Sequence, residues 1–284
     1  SDINAINIMK SQGATQEELI KLITDDTLAC STGIDEKIEM CFLQGLSDGE
    51  FAIEDGNNTG MLGRIKFGYK DENTYGANIL GKISQEDIEK VLQGADEKGD
   101  SIVAIAIATS TYNDMRQQEW AKKLVATYRG TSANATPSAS FFDEAFADAY
   151  NGIKFIKIDR SVIVEKNGVK KSVKPFNKNR VIFLTTEQVG SLVWSNLAEK
   201  TNPVQNVEYA TLDNFKLIGR FSQSDPLREV THGQALVLPV IENVDQIYIL
   251  DLTKGGTDPQ EEGDNLFNYN GYTWLKSAVI TACA

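Results

Sequence analysis

A long amphipathic segment, residues 15–49, constrains the fold of this chain more than any other stretch. Thr15 and Glu18 have the spacing of a capping box, in which each side chain accepts the other residue's backbone N–H at a helix start. Gly49 follows the segment, and glycine ends helices readily because it enters the left-handed conformation without steric penalty. We therefore predict one helix of about 50 Å. Two shorter helices divided near Gly33 are the alternative, since glycine inside a helix costs about 1 kcal/mol. Between these ends, apolar residues recur at helical spacing: Leu19, Leu22, Ile23, Cys30, Ile34, Ile38, Cys41, Phe42 and Leu46.

The composition limits the classes of function. The chain has 284 residues, enough for roughly two domains. Its net charge of −12 argues against wrapping nucleic acid, because binding to phosphates needs clustered lysines and arginines. No apolar run approaches the ~18 residues of a membrane span, and residues 1–4 show no start of a signal peptide. The cysteines, Cys30, Cys41 and Cys283, are few and odd in number, which predicts free thiols in a reducing cytosol.

Helix and strand patterns follow one another after this segment, which indicates an α/β layer. A helix is predicted from Ser84, which has the spacing of a cap to Asp87, as far as Gly99. Residues 102–108 form a continuous apolar run that is typical of a central strand covered on both faces. Further helices are predicted at 112–128 with Thr111 as its cap, at 141–150, and from Thr186 as a cap through Trp194. Further strands are predicted at 51–53, 64–69, 153–158, 161–165, 169–173, 180–184, 212–221, 235–238 and 247–250.

One predicted hairpin is unusual in its charge. Asn167 and Gly168 separate two of the predicted strands, and this pair favours a tight turn because both of its residues need positive φ. Four lysines surround the turn on an otherwise acidic chain: Lys166, Lys170, Lys171 and Lys174. Two interpretations stay open. The hairpin is either a solvated tip or a contact with an acidic neighbouring surface.

The sequence shows no catalytic motif. Residues 55–60 half-resemble a calcium loop, but Lys66 stands where such a loop needs a bidentate glutamate. His232 is the only histidine in the sequence, so a histidine metal cluster cannot form. There is no glycine-rich phosphate loop and no nucleophile motif around a serine. Adjacent carboxylates are interpreted as solvated surface acids: Asp143, Glu144, Glu261 and Glu262. We therefore predict no catalytic, cofactor-binding or metal-binding residue and no enzymatic activity.

Several short segments occur in an order that resembles a known family. They are residues 43–51 (LQGLSDGEF), 65–69 (IKFGY), 174–176 (KPF), 181–184 (VIFL) with Gly190, 225–228 (DPLR), 238–240 (LPV) and 248–251 (YILD). Each is weak alone, but their order and spacing resemble the major capsid proteins of tailed bacteriophages, in the lambda-like group with the HK97-type fold. The resemblance covers most of the chain.

The resemblance implies an α+β fold with a long spine helix, a peripheral β-layer domain and an α/β axial domain. The implied domains are residues 1–74 (peripheral, with the spine helix), 75–211 (axial), 212–235 (a return to the peripheral domain) and 236–284 (axial). We expect Leu19, Ile23, Ile34 and Ile38 to be buried against the β-layer.

The implied function is that of a structural subunit of a viral capsid shell. The subunit would assemble with itself into pentamers and hexamers in the host cytoplasm and reside in the virion. Scaffold, portal and decoration proteins are further implied partners, whereas no cofactor, membrane or sequence-specific nucleic acid is expected. An acidic chain also suits a shell that encloses DNA without gripping it.

Two other functions remain as alternatives. An encapsulin-like compartment shell would share the fold but enclose different contents, and an α/β enzyme would assemble its site from scattered carboxylates and His232. The chain also departs from the family, in which an arm and an extended loop precede the spine helix, because only residues 1–14 precede it here. We therefore expect these residues alone to form a monomer or one small ring rather than closed shells, and the native product to carry tens of residues more.

Overall fold

The structure is a computed structural model that describes residues 16–54, 61–132, 135–166, 169–224, 227–255, 266–269 and 272–275. It is mixed α/β, with several sheets, which is compatible with the predicted α+β class. The helices are α1 (Gln16–Asp48), α2 (Gln85–Glu97), α3 (Thr109–Arg116), α4 (Glu119–Arg129), α5 (Ala139–Ala149) and α6 (Ala198–Thr201). The first strands are β1 (Glu50–Glu54), β2 (Met61–Lys66), β3 (Thr74–Ala77), β4 (Ala104–Ala108), β5 (Lys154–Ile158), β6 (Val162–Lys166), β7 (Val169–Val173) and β8 (Arg180–Leu184). The remaining strands are β9 (Gly190–Ser195), β10 (Glu208–Leu212), β11 (Lys216–Ser224), β12 (Leu227–Ile241), β13 (Ile247–Gly255), β14 (Leu266–Tyr269) and β15 (Tyr272–Leu275).

The chain divides into two compact units. The first unit contains residues 1–42 and 190–240, and the second contains residues 43–189 and 241–284. The domain boundaries implied by the family resemblance, after residues 74, 211 and 235, stay a prediction.

The predicted long helix is confirmed as one element. Helix α1 runs unbroken for 33 residues, with Gly33 in its interior. It ends at Gly49, which has a φ of +74° and donates its N–H to the carbonyl of Gly45 at 2.8 Å. The Tyr69 hydroxyl also lies 3.2 Å from the carbonyl oxygens of Gly45 and Leu46, so it satisfies carbonyls that a helix end leaves without partners. The predicted cap at Thr15 lies outside the described residues.

The first unit is a helix on a four-stranded sheet. The strand order is β10-β11-β12-β9, and β11 is antiparallel to both β10 and β12. Helix α1 approaches β12 closely, because an added Cβ on Gly233 would lie 3.2 Å from Cδ1 of Ile34. Ile34 and Ile38 are half-buried rather than buried, so that part of the prediction was too strong. The side chains of Leu19 and Ile23 are not among those that the structure describes.

The second unit is built on a five-stranded mixed sheet of order β3-β13-β8-β4-β5. Strands β8 and β13 are antiparallel, as are β4 and β8, whereas the two outer pairs are parallel. Every residue of β4 is buried, which confirms a central strand covered on both faces. The core of this unit joins the sheet to helices α2–α5 and includes Ile88, Val91, Ile105, Tyr112, Met115, Phe142, Phe146 and Phe183.

Some local predictions held and others were wrong. Ser84 and Asp87 form the predicted capping box of α2, and β6 and β7 form the predicted antiparallel hairpin. The predicted helix at 112–128 is instead two helices, α3 and α4. Thr111 lies inside α3, where its hydroxyl donates to the carbonyl of Lys178 at 2.6 Å rather than capping.

Two further corrections concern the segment that leads into β9 and the turn between β10 and β11. Thr186 caps no helix, because the residues that follow lead into strand β9 (Gly190–Ser195), whose branched and aromatic side chains favour a strand. The strand predicted at 212–221 is the end of β10, a turn and β11. Asp213 and Asn214 have φ angles of 50° and 67°, and these left-handed conformations reverse the chain.

Candidate interaction surfaces

Strand β9 is an edge strand with an exposed apolar surface. Among the described strands it lies at the end of its sheet, with β12 as its neighbour. Leu192, Val193 and Trp194 are 46%, 56% and 45% exposed. Since successive side chains point to opposite faces of a sheet, both faces of this strand carry exposed apolar groups. Leu236 on the neighbouring strand β12 is also 55% exposed.

Strand β5, an edge strand of the second unit, carries charged side chains that β9 lacks. Strand β5 carries Lys154, which pairs with Glu187 at 3.3 Å, and Lys157, which pairs with Asp143 at 2.6 Å. Charged residues on an edge strand discourage pairing with another chain. Strand β9 has the sequence GSLVWS, without a charge or a proline. It therefore retains the properties of a strand that pairs with another chain.

The β6–β7 hairpin is a second exposed surface. Val162 at its base is buried, but Ile163, Val164 and Val169 are 65%, 37% and 68% exposed. Directly opposed residues share a face, which places Val164 beside Lys171. Of the four lysines predicted to surround the turn, Lys174 pairs with Asp159 at 2.5 Å and is itself exposed. The turn residues Asn167 and Gly168 lie outside the described part of the chain.

Lys216 is a buried cation that the sequence did not single out. Its side chain is 2% exposed, and its Nζ lies 2.6 Å from Oδ2 of Asp35 and 2.7 Å from Oδ2 of Asp213. The hydroxyl of Ser31 lies 3.1 Å away. Burial lowers the pKa of Lys216, but the hydrogen bonds and charges of Asp213 and Asp35 outweigh that effect and raise it above its ordinary value. The group is held as a cation that links α1 to the sheet.

The candidate nucleophiles of the sequence are thiols in part-buried or buried positions. Cys30 is half-buried and directs its thiol to the carbonyl of Thr231 at 3.8 Å, and Cys41 is buried. Burial raises the pKa of both thiols; the charge of Asp26 adds to the effect at Cys30, and Lys37 partly offsets it at Cys41. A raised pKa leaves a thiol protonated and unreactive. Cys283, Glu261 and Glu262 lie outside the described residues.

His232 belongs to the surface of the first unit's sheet. It stands opposite Gly219 across β11 and β12, and its ring meets Phe221 edge-on with 5.7 Å between centroids. An added Cβ on Gly219 would lie 2.5 Å from Cε1 of His232, so the glycine makes room for the ring. Within the described residues, Nδ1 is buried without a hydrogen-bond partner. This is the environment of a packed ring on a sheet.

Asp143 takes part in a polar cluster in the second unit. One of its oxygens accepts from the Tyr112 hydroxyl at 2.6 Å, and the other accepts from Lys157 at 2.6 Å. Burial, followed by the hydrogen bond and charge of Asp143, raises the pKa of Tyr112 well above its ordinary value. A tyrosine held in its neutral form this firmly supplies no phenolate near neutral pH, and the two hydrogen bonds of Asp143 join α3, α5 and β5.

One depression is visible on the described surface of the first unit. It is lined by Asn196, Leu197, Thr211 and Phe215 and has about 180 Å³ of space, open solvent included. The described part of the chain brings together no group of three His, Cys, Asp or Glu side chains able to hold a metal ion. Among those same residues, no helix is long and apolar enough to cross a membrane.

Comparison with known proteins gives a weak structural similarity and no sequence match. No protein-family model matches the chain, and no curated protein matches its sequence. The structure is similar to that of a phage-related protein from Bordetella bronchiseptica RB50, with a TM-score of 0.38 and 9% sequence identity. The match covers 65% of this chain and 58% of that protein. A similarity this low settles neither the family nor the function.

Proposed function

We propose that this chain is a structural subunit of a bacteriophage capsid shell, which assembles with copies of itself to enclose DNA. The observation that carries the proposal is the apolar edge of β9, which pairs on one side only among the described strands, with Leu192, Val193 and Trp194 exposed. Natural proteins usually blunt such an edge, because it is a template for pairing with another chain. An edge left open in this way suits a protein whose normal state includes neighbours.

The arrangement of elements supports the same function. The 33-residue helix α1 packs on the sheet formed by β9–β12, as expected of a spine helix with a β-layer. The second unit has a mixed central sheet with helices, as expected of an axial domain. The segments that resemble the capsid family are distributed over both units. The proposal assigns this chain the HK97-type fold, no enzymatic activity, and a place in the virion.

The partners in this proposal are first of all other copies of the chain, in pentamers and hexamers. Scaffold, portal and decoration proteins are further partners. A stable interface buries on the order of 1,200–2,000 Å². Strand β9 contributes to that area through main-chain hydrogen bonds along its edge, while its apolar side chains enter pockets of the neighbour.

The test compares the wild-type protein with Val193→Lys and Val204→Lys. Val193 and Val204 are both valines and both 56% exposed, but Val204 lies outside the strands. Sedimentation velocity and negative-stain microscopy report the assembly state, and circular dichroism reports folding. We expect the wild-type protein and Val204→Lys to form rings of copies. Val193→Lys should need at least about tenfold more protein to assemble, because a lysine at a desolvated edge is costly.

Two results would contradict the proposal. One is a wild-type protein that stays monomeric up to about 1 mM, because the exposed β9 edge narrows the two outcomes expected from the sequence, a monomer or one small ring, to the ring. The other is a folded Val193→Lys variant that assembles like the wild-type protein, which would show that the β9 edge takes no part in assembly.

A further inference from the structure

The β6–β7 hairpin exposes apolar side chains that its own two strands do not cover. Ile163, Val164 and Val169 are exposed, and every residue of β7 except Val173 is exposed as well. Strands β6 and β7 pair only with each other among the described strands. An isolated two-stranded hairpin is marginally stable in water unless a further surface covers it. The hairpin therefore has the character of an element that docks.

The charge of the hairpin indicates what covers it. Residues 159–174 contain five basic and two acidic side chains, a net charge of +3. The whole chain has a net charge of −12, so the other residues carry −15. Lys171 is exposed and lies beside Val164, so apolar and basic groups share one face. A surface that is complementary to this face is acidic, and the rest of this chain is itself acidic.

Helix α2 presents such a surface. Four of its acidic residues are exposed: Glu86, Glu89, Asp96 and Glu97. Three of these residues accept hydrogen bonds from neutral side chains. The amide of Asn78 lies 3.1 Å from Glu86, that of Gln85 lies 2.8 Å from Glu89, and that of Gln93 lies 2.9 Å from Glu97. These bonds hold the carboxylates in place without cancelling their charge.

The positions of the two elements suit a contact between copies. Residues 159–161 join the hairpin to β5, which is one edge of the five-stranded sheet. Helix α2 packs against β3 and β13 at the opposite edge. A contact from the hairpin of one copy to α2 of the next uses different surfaces of the two copies. Such heterologous contacts close into rings when the rotation between copies permits.

We infer that the β6–β7 hairpin docks onto the acidic face of α2 in a second copy of this chain. The inference rests on the proposed self-assembling function and assigns it a second contact, separate from β9. Since the contact is partly electrostatic and exposed, it weakens as the ionic strength rises from about 0.1 M to about 1 M, where the screening length falls from about 10 Å to about 3 Å.

The test uses two variants with reversed charge. Lys170→Glu with Lys171→Glu makes the hairpin acidic, and Asp96→Lys with Glu97→Lys makes the last turn of α2 basic, where a cation suits the helix dipole. Each variant alone should assemble at least about tenfold more weakly than the wild-type protein, because like charges then face each other. An equimolar mixture should recover assembly in rings with an even number of copies, such as hexamers, because the two variants can alternate there and each altered surface then meets an oppositely charged one.

The matched control is Lys122→Glu with Lys123→Glu on α4, which changes the net charge by the same amount and should leave assembly unchanged. If the doubly reversed hairpin fails to fold by circular dichroism, Lys171→Gln provides the same test with the loss of one charge. Binding to a duplex DNA is measured in parallel, because a basic hairpin also attracts phosphates.

The results separate this inference from the proposed function. A folded hairpin variant that assembles like the wild-type protein overturns the docking contact and leaves the β9 proposal intact. The docking contact is also overturned if the mixture fails to recover assembly, or if charge reversal abolishes binding to DNA while assembly is unchanged. A wild-type protein that never assembles overturns both.

Discussion

The ammonium of Lys216 lies 2.6 Å from the Asp35 carboxylate, and this contact joins the start of β11 to the middle of α1. Asp213 approaches the same ammonium at 2.7 Å. The lysine side chain is 2% exposed, whereas the two aspartates are 57% and 63% exposed. The cluster therefore has a buried cation with its counter-charges at the surface. If those charges are removed, Lys216 is left as a buried cation without a counter-charge.

Neutralising the two aspartates together should destabilise the first unit. Asp35→Asn alone leaves Asp213 as a counter-charge, so we expect a loss of about 1–3 kcal/mol in the free energy of unfolding. The double variant, with Asp213→Asn added, leaves an unpaired buried charge and should lose about 3–5 kcal/mol. Urea denaturation measures both. Asp25→Asn, at an exposed position of the same helix, is the control and should stay within about 0.5 kcal/mol.

The same variants should differ in their dependence on pH. In the wild-type protein the pKa of Lys216 is raised, so its contribution is present below the ordinary value of 10.5 and is lost as the pH rises through the higher folded value. In the double variant both counter-charges are gone, so burial alone acts on Lys216 and lowers its pKa. The unfolded state then binds more protons, and stability rises with pH up to about 10.5. A double variant that loses stability over that alkaline range would contradict this assignment.

Gly190→Ala should displace β9. The added Cβ would lie 2.2 Å from the carbonyl oxygen of Val240, which is backbone and cannot rotate away. We expect a loss of about 1–3 kcal/mol in thermal or urea unfolding and weaker assembly, because β9 no longer seats on β12. Gly63→Ala is the control, since no atom lies within 4 Å of its added Cβ. Equal stability of the two variants would show that β9 is not held at this glycine.

The elements that could be predicted from sequence are those with local determinants. The capping box of Ser84 and Asp87 acts over one turn, and it was predicted correctly. The apolar run that includes β4 indicates a covered strand without reference to any partner. Strand β9 was not predicted, because its conformation depends on a distant part of the chain. Thr186 resembles a helix cap locally, but pairing with the distant strand β12 makes the segment extended.

The candidate surfaces were only partly visible in the sequence. The lysines around Asn167 and Gly168 indicated an unusual hairpin, but its exposed valines and its isolation from other strands needed the structure. Lys216 and Asp35 are 181 positions apart, so no local pattern connects them. The openness of β9 depends on its place at the end of a sheet, which only strand order reveals.

Ile34→Ala should destabilise the first unit less than the same truncation of a fully buried isoleucine would. The side chain is half-buried, and its Cδ1 faces Gly233 on β12. A fully buried isoleucine costs roughly 2–5 kcal/mol on truncation to alanine, and we expect about 1–2 kcal/mol here. Leu28→Ala is the control on the same helix, because Leu28 is 56% exposed. Equal losses from the two changes would contradict the packing of α1 on β12.

The second unit should lose stability at alkaline pH through its tyrosines. The Tyr150 hydroxyl lies 3.2 Å from a carboxylate oxygen of Glu89, and burial, followed by the charge and hydrogen bond of Glu89, raises its pKa from 10.0 to about 12. Burial likewise raises the pKa of Tyr69, Tyr112 and Tyr248. A raised pKa means that the fold favours the neutral phenol. Its stabilising effect is therefore complete below pH 10 and is lost, for Tyr150, as the pH rises through about 12.

Thermal melting of the wild-type protein and of Tyr150→Phe over this range checks the assignment. Phenylalanine keeps the ring buried but has no proton to lose, so the variant should melt slightly lower at neutral pH, where it lacks the hydrogen bond to Glu89. Its melting temperature should then fall less steeply than that of the wild-type protein above pH 10. Phenolate absorbance, followed on the same samples, should show Tyr150 ionising near pH 12 in the folded state. Parallel melting curves for the two proteins would mean that Tyr150 ionises as readily in the fold as in the unfolded chain.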